Sequence, residues 1–307
     1  METYFDSLPD IFTIINFIII SIGIIGNLLV LLIIICRKTT RTKMYILIGN
    51  LAVADLSFLA QQMVVFVTKI PEKIYFLYNY MTFVTVTVSI HTLVLLALDK
   101  FMSLVLVYTS RVFKTTRNLF ITVVLLWAVS IVAFYMPVTI FFDSHPGFVH
   151  QNGPYMTRNL TFDIDTTPYR ITLACFFVFD FMLPLITMTV MYSMVIHQLL
   201  CKDRPNPGNS SAEMKVVKDK QRLTVVMMIV TIVFVVCWFP KWVNFYFLFF
   251  TDVDDRNESY MLFLKFTHLL VVINSAINPI LYAFIYVDFR RGVTVPVNFM
   301  RKLCCNK

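Results

Sequence analysis

Read for polarity alone, the chain gathers its apolar residues into seven long blocks, at about residues 11–36, 44–68, 74–107, 117–142, 169–201, 220–250 and 259–286. A helix needs about 20 apolar residues to cross roughly 30 Å of hydrocarbon, and every block reaches that length. The third and sixth are long enough to project beyond the bilayer. A membrane barrel would instead show segments of about 10 residues alternating in polarity, and the sequence has none. The pattern predicts an all-α membrane protein, a seven-transmembrane helix bundle forming one domain over residues 1–303, with 304–307 as a tail.

Composition agrees, with 58% hydrophobic residues and 14% charged ones. Charge then sets the orientation. Arg37, Lys38, Arg41 and Lys43 follow the first block; Arg111, Lys114 and Arg117 follow the third. Lys202, Arg204, Lys215, Lys218, Lys220 and Arg222 follow the fifth, and Arg290, Arg291, Arg301, Lys302 and Lys307 follow the last. The opposite side is acidic, with Glu2, Asp6, Asp10, Glu72, Asp143, Asp163, Asp165, Asp252, Asp254, Asp255 and Glu258. The positive-inside rule puts the N-terminus outside and the C-terminus in the cytoplasm, which requires an odd number of spans. The net charge of +8 therefore reflects topology and contact with the inner leaflet, and gives no support for a nucleic-acid partner. A cleavable signal is not expected, because the first block is too long and acidic residues precede it.

Of the six cysteines, Cys36, Cys201, Cys304 and Cys305 fall on the cytoplasmic side and Cys175 and Cys237 within spans, so no extracellular disulfide is expected. Asn159 and Asn257 begin glycosylation triplets in outer loops, whereas Asn209 begins one on the inner side.

Against this apolar background, polar side chains inside the spans are the informative positions. An ionised side chain at a helix centre costs about 2.5 to 3.5 kcal/mol on insertion scales, so each should face the bundle interior and a partner. Asn27, Asp55, Ser89, Asp99, Asn274, Ser275 and Asn278 are such groups. They can form one cluster, either as interhelical glue or as a working site. Pro137, Pro184, Pro240 and Pro279 interrupt spans four to seven, each freeing a backbone carbonyl.

The set has a familiar order. Gly26-Asn27, LAVAD ending at Asp55, LDKF at 98–101, Trp127, Pro184 with Tyr192, FVVCWFP at 234–240 and NPILY at 278–282 together resemble the rhodopsin-like G-protein-coupled receptors, over essentially the whole chain. The resemblance implies a sodium-binding polar core at Asp55, Ser89, Asn274 and Asn278, extended by Asn27 and Ser275. It further implies a toggle at Trp238, Phe234 and Pro240, and a pair of tyrosines, Tyr192 and Tyr282, that swing together as the sixth helix moves outward. Asp99 and Lys100 match the cytoplasmic triplet that meets the heterotrimeric G protein.

Two departures follow. The triplet's usual arginine is Lys100 here, a point charge without the planar fork, and its usual acidic partner in the sixth helix is replaced by Lys220, with Asp219 next to it as the only near substitute. A weak inactive lock, with elevated agonist-free signalling, is the expectation. The family's cysteine at the outer end of the third helix is Tyr75, and residues 143–168 hold no cysteine, so the second outer loop must be held otherwise.

For the ligand, the resemblance disfavours amines, whose aspartate is replaced by Thr82, and retinal, whose lysine is replaced by Val272. Acidic outer loops suit attraction of a cationic, neuropeptide-like peptide, and equally suit an ordinary solvated rim. Gln61, Gln62, Thr82, Asp180, Lys241, Asn244 and His268 resemble pocket-facing positions. Asp180 and Lys241 either grip a ligand's charged ends or pair with each other between neighbouring helices. His91 reads as a packing group, since the sequence offers it no charged partner.

After the last span, residues 287–303 carry Phe289 and Phe299 among basic residues and suggest a short cytoplasmic amphipathic helix, with Cys304 and Cys305 as palmitoylation sites. A transporter or channel would show an internal repeat or rings of like charge, and an enzyme a nucleophile–base set; neither pattern is present in the sequence. The expected function is a plasma-membrane receptor passing ligand binding to a G protein. A lipid or other small-molecule receptor, and a ligand binder without G-protein signalling, stand as alternatives.

Overall fold

The computed structural model describes residues 11–36, 43–68, 72–106, 115–143, 148–149, 157–158, 167–201, 211–250 and 258–285. Among them, seven helices are long and apolar enough to cross a membrane. Helix 1 spans Ile11–Cys36, helix 2 Lys43–Val67, helix 3 Glu72–Leu104 and helix 4 Thr116–Asp143. Helix 5 is α-helical over Thr167–Phe177, π-helical over Val178–Met182 and α-helical again over Leu183–Cys201. Helix 6 spans Ser211–Phe250 and helix 7 Glu258–Ile285. Helices suit hydrocarbon because each satisfies its own backbone donors and acceptors internally.

Helix 6 begins at Ser211, ahead of the apolar block starting at 220, because Ala212, Glu213, Met214, Lys215, Lys218, Lys220, Gln221 and Arg222 are mostly strong helix formers. Its charged first turns extend the helix past the greasy part rather than interrupting it.

Polarity is inverted relative to a protein in water. In helix 1 the buried positions Asn16, Ile20, Gly23, Asn27, Val30 and Ile33 recur every three or four residues and include both amides and a glycine. Its exposed face is Ile11, Ile14, Ile15, Ile18, Ile22, Ile25 and Leu28. Lipid accepts the isoleucines, so the inward face is free to carry the small and polar groups that bind helix to helix. Helix 1 packs on helices 2 and 7, helix 2 on 3, helix 3 on 4 and 5, helix 5 on 6, and helix 6 on 7, closing the ring. Helix 3 also touches helix 6, which makes it the central post.

Prolines shape three of these helices. A proline cannot bond to the carbonyl four residues back and crowds it. For Pro184 that carbonyl belongs to Asp180, inside the π-helical turn, where the Leu183 amide instead donates to the Val178 carbonyl. The extra residue of a π turn rotates the register of what precedes it. Asp180 and Phe181 are thereby both buried. Pro240 and Pro279 lie inside helices 6 and 7.

Between helices 4 and 5, Phe148–Val149 (β1) pairs antiparallel with Thr157–Arg158 (β2), Phe148 opposite Arg158 and Val149 opposite Thr157. Strands of two residues leave no periodicity to read in a sequence.

Candidate functional site

Of the polar residues expected to cluster, Asn27, Asp55, Ser89, Ser275 and Asn278 come together, whereas Asp99, at the cytoplasmic end of helix 3, lies beside Lys100 and does not join them. Asp55 of helix 2 is 0% exposed, and each of its carboxylate oxygens accepts one hydrogen bond. The Ser89 hydroxyl of helix 3 donates to Oδ1 at 2.8 Å, and Asn278 Nδ2 of helix 7 donates to Oδ2 at 2.7 Å. Asn27 of helix 1 donates through Nδ2 to the Gly23 carbonyl at 3.0 Å and to the Ser275 carbonyl at 3.2 Å.

The second of those acceptors has a cause. Ser275 lies four residues before Pro279, so its carbonyl is the one that the proline leaves without an intrahelical donor. Asn27 supplies the missing donor from a neighbouring helix. The amides and the proline of NSAINPILY are thus two halves of one device: the ring frees a carbonyl, and the freed carbonyl ties helix 7 to helix 1. Asn274 and Ser275 are buried in the same stretch.

A second node, built on Asn50, was not foreseen. Trp127 Nε1 of helix 4 donates to Asn50 Oδ1 at 2.9 Å, and Asn50 Nδ2 donates to Thr92 Oγ1 of helix 3 at 2.7 Å. The Thr92 hydroxyl in turn donates to the Val88 carbonyl at 2.6 Å. A second mid-span amide, one helical turn and a residue before Asp55, was the available signal. Substituting Trp127→Phe keeps the ring and leaves the Asn50 oxygen without its donor, at a cost of about 1–2 kcal/mol. A lower melting temperature of the purified variant, with an unchanged fold by circular dichroism, is the expected result.

Toward the outer side the interior becomes aromatic. Phe234 and Trp238 are buried on helix 6, and Phe181 of helix 5 stands 5.8 Å from the Phe234 ring and 6.3 Å from that of Trp242. Phe177 meets Trp242 edge-on at 5.4 Å. Trp242, also buried, joins the expected toggle residues as a further contact between helices 5 and 6.

Most of the expected pocket residues lie on helices 2, 3, 6 and 7. The Thr82 hydroxyl donates to Gln61 Oε1 at 3.1 Å, and the Tyr78 hydroxyl, unforeseen, donates to Gln62 Oε1 at 3.0 Å. The His268 ring lies 6.1 Å from Phe66 and within electrostatic reach of Lys241. Lys241 Nζ sits 5.1 Å from the centre of the Phe245 ring.

Two expectations are corrected. Asp180 does not pair with Lys241: it accepts a hydrogen bond from the Thr87 hydroxyl at 3.1 Å and lies 3.7 Å from His91 Nδ1. The π-helical turn aims it at helix 3 and away from helix 6. His91 accordingly has a charged neighbour, and its Nδ1 also meets the Thr87 carbonyl at 3.0 Å, the geometry of a donating N–H.

At the cytoplasmic end, Lys100 is 7% exposed, with Nζ 2.9 Å from Met44 Sδ of helix 2 and 3.5 Å from Asp99 Oδ2. Tyr192 is buried on helix 5 and its hydroxyl meets Thr231 of helix 6. The side chain of Tyr282, the triplets at Asn159 and Asn257, residues 287–303, and Cys304 and Cys305 lie outside the described residues. The described cysteines Cys36, Cys175 and Cys237 are free.

Comparison with known proteins gives a concordant picture. Residues 26–282 match the model of the 7 transmembrane receptor (rhodopsin family). Galanin receptor 2a of Danio rerio is 27% identical over 299 residues, covering 89% of this chain and 74% of the relative. The allatostatin-A receptor of Bombyx mori is 29% identical over 297 residues, covering 88% and 74%. Galanin receptor type 1 of Homo sapiens is 28% identical over 296 residues, covering 90% and 78%.

Proposed function

The chain belongs to the rhodopsin family of seven-transmembrane receptors, which are multi-pass proteins of the plasma membrane and not enzymes, and on that premise we propose that it converts binding of an extracellular peptide into G-protein activation. The single observation carrying this reading is the Asp55 cluster. Side chains of helices 2, 3 and 7 meet on one buried carboxylate, while helix 1 holds the carbonyl freed in helix 7. Such a polar core has more than one way to satisfy its hydrogen bonds, so a modest push from the aromatic layer at Trp238 can exchange one packing for another. Relatives named for galanin and allatostatin-A, both peptides, support a peptide as the ligand. Asp252, Asp254, Asp255 and Glu258, which the charge pattern of the sequence assigns to the outer side, suit a cationic segment of it, drawn in by long-range attraction that salt would weaken.

The residues also fit a sodium ion. Asp55 offers a carboxylate, Ser89 a hydroxyl, and Asn27 Oδ1 is a buried oxygen without a hydrogen-bond partner among the described residues. Hard oxygen donors with one negative charge suit a monovalent cation. Asp55 with Ser89 would hold the ion, which when bound supplies charge neutralisation to the buried carboxylate.

The test is guanine-nucleotide exchange on a G protein with the full chain in lipid nanodiscs, probed with galanin- and allatostatin-type peptides and a basic-peptide library. Peptide-dependent exchange is expected, together with a basal rate above empty membranes, because Lys100 is turned to Met44 and Asp99 and lacks the fork of arginine. Basal exchange equal to empty membrane would remove the weak-lock prediction. Peptide binding without exchange would favour a receptor-shaped binder that does not signal.

A further inference from the structure

Helix 6 buries Val230, Phe234, Cys237 and Trp238 and exposes Val225, Ile229, Ile232, Val236 and Phe239. Lys241 follows Phe234 by seven residues and Trp238 by three, so it continues the inward face and carries an ammonium into the bundle. Among the described residues that ammonium has neither an ion pair nor a hydrogen bond; its neighbours are the Phe245 ring and His268. The acid that could have answered it, Asp180, is held by Thr87 and His91. Three further groups on helix 6 are buried with a polar atom that has no partner among the described residues: Trp238 Nε1, on a residue 8% exposed, Trp242 Nε1, and Asn244 Oδ1, on a residue 2% exposed.

A cation facing the interior without a counter-charge is costly, and a sequence that retains one gains nothing in stability from it. A ligand carboxylate would repay the desolvation of the ammonium and accept from its three donors. Resting on the receptor reading above, we infer that Lys241, assisted by the Trp238 indole N–H, is the anion-recognising end of the pocket. The deepest group of the peptide is a carboxylate, either its free C-terminus or an acidic side chain. The acidic residues of the outer side and this half-buried cation then select opposite charges on one ligand, which fixes the direction in which it enters.

The experiment measures binding directly, so that it stands apart from signalling. Short aromatic peptides are prepared in matched forms, free acid against C-terminal amide and internal Glu against Gln, and titrated against the purified full chain in nanodiscs by thermal shift and tryptophan fluorescence. The acid member of a pair is expected to bind at least about tenfold tighter than its neutral counterpart. Amidation or the Glu-to-Gln change identifies which carboxylate is read. Lys241→Met should erase the preference, Lys241→Arg should keep most of it, and the Met variant without ligand should melt no lower than the wild type. Lys241→Gln is the second neutral variant if methionine folds poorly. Equal binding of acid and neutral forms, an acid preference that survives Lys241→Met, or binding by none of the probes would overturn the inference. Acid-selective binding without nucleotide exchange would leave the subsite standing and refute the signalling role instead.

Discussion

Replacing Asp55 with alanine is expected to abolish peptide-driven nucleotide exchange and to destabilise the receptor by about 2–4 kcal/mol. The magnitude follows from what is left behind. Ser89 and Asn278 each lose their acceptor in a buried site, and an unsatisfied buried donor costs about 1–3 kcal/mol. Interhelical bonds in membranes average nearer 0.6 kcal/mol, which holds the sum below the soluble-protein figure. Asp55→Asn separates the two roles of the residue. Its side-chain oxygen can still accept from Ser89, and rotation of the Asn278 amide can restore the other bond, so stability should fall by only about 1 kcal/mol. The charge is gone nonetheless. Wild-type protein should therefore melt higher in sodium than in an equal concentration of a bulky organic cation, and Asp55→Asn should show no such difference. A sodium-dependent shift that survives Asp55→Asn would remove the ion from the site, while loss of exchange in both variants at normal surface expression would keep the switch.

What made Asp55, Asn27 and Asn278 legible in the sequence is the solvent itself. In hydrocarbon a carboxylate or amide without a partner is penalised, so its presence in an apolar block announces a partner elsewhere. Block length did the same for the helices, whose ends fall within a few residues of the apolar limits except at Ser211, where polar helix formers continue helix 6 beyond the greasy part. Hydroxyls are harder to read. Thr87 and Thr92 can satisfy themselves on the preceding turn, as Thr92 does on Val88, and so sit in a span at little cost and without advertisement. The pairing of Asp180 with Lys241 failed for a geometric reason: it took the acid and base positions as facing each other across neighbouring helices, and the π-helical turn at Val178–Met182 shifts the register at the acid itself. The carbonyl of Ser275 is the opposite case, since Pro279 guaranteed that it would need an outside donor, and only the identity of that donor, Asn27, required coordinates.

The close approach behind that bond makes Gly23 the most sensitive small residue of helix 1. A methyl group added there would lie 2.7 Å from Leu59 Cδ1, 2.8 Å from Ala276 Cβ and 3.0 Å from Ala276 Cα. Leu59 can move aside, but the Ala276 atoms are fixed to the backbone of helix 7, so relief requires the two helices to part. Overpacking of this kind costs about 1–3 kcal/mol in soluble cores, and small residues at helix contacts matter at least as much in lipid, where no hydrophobic force closes the gap. Gly23→Ala should accordingly lower surface expression and melting temperature. Gly26→Ala, whose methyl would meet Pro279 at 3.1 Å, should do so more mildly, and Gly49→Ala, with only Ile34 at 3.6 Å, should be tolerated. A functional consequence is also expected, because Asn27 stands one turn from Gly23 and Ser275 adjoins Ala276. Their bond is already 3.2 Å long, and a further separation of about 0.5 Å takes it out of hydrogen-bonding range. The carbonyl freed by Pro279 then loses its external donor, and helix 7 loses its tie to helix 1. Nucleotide exchange per receptor at the surface should therefore change in Gly23→Ala and stay constant in Gly49→Ala. A Gly23→Ala protein that expresses, melts and signals like the wild type would mean that the seam of helices 1 and 7 is looser than 3.2 Å implies, and that the switch does not run through it.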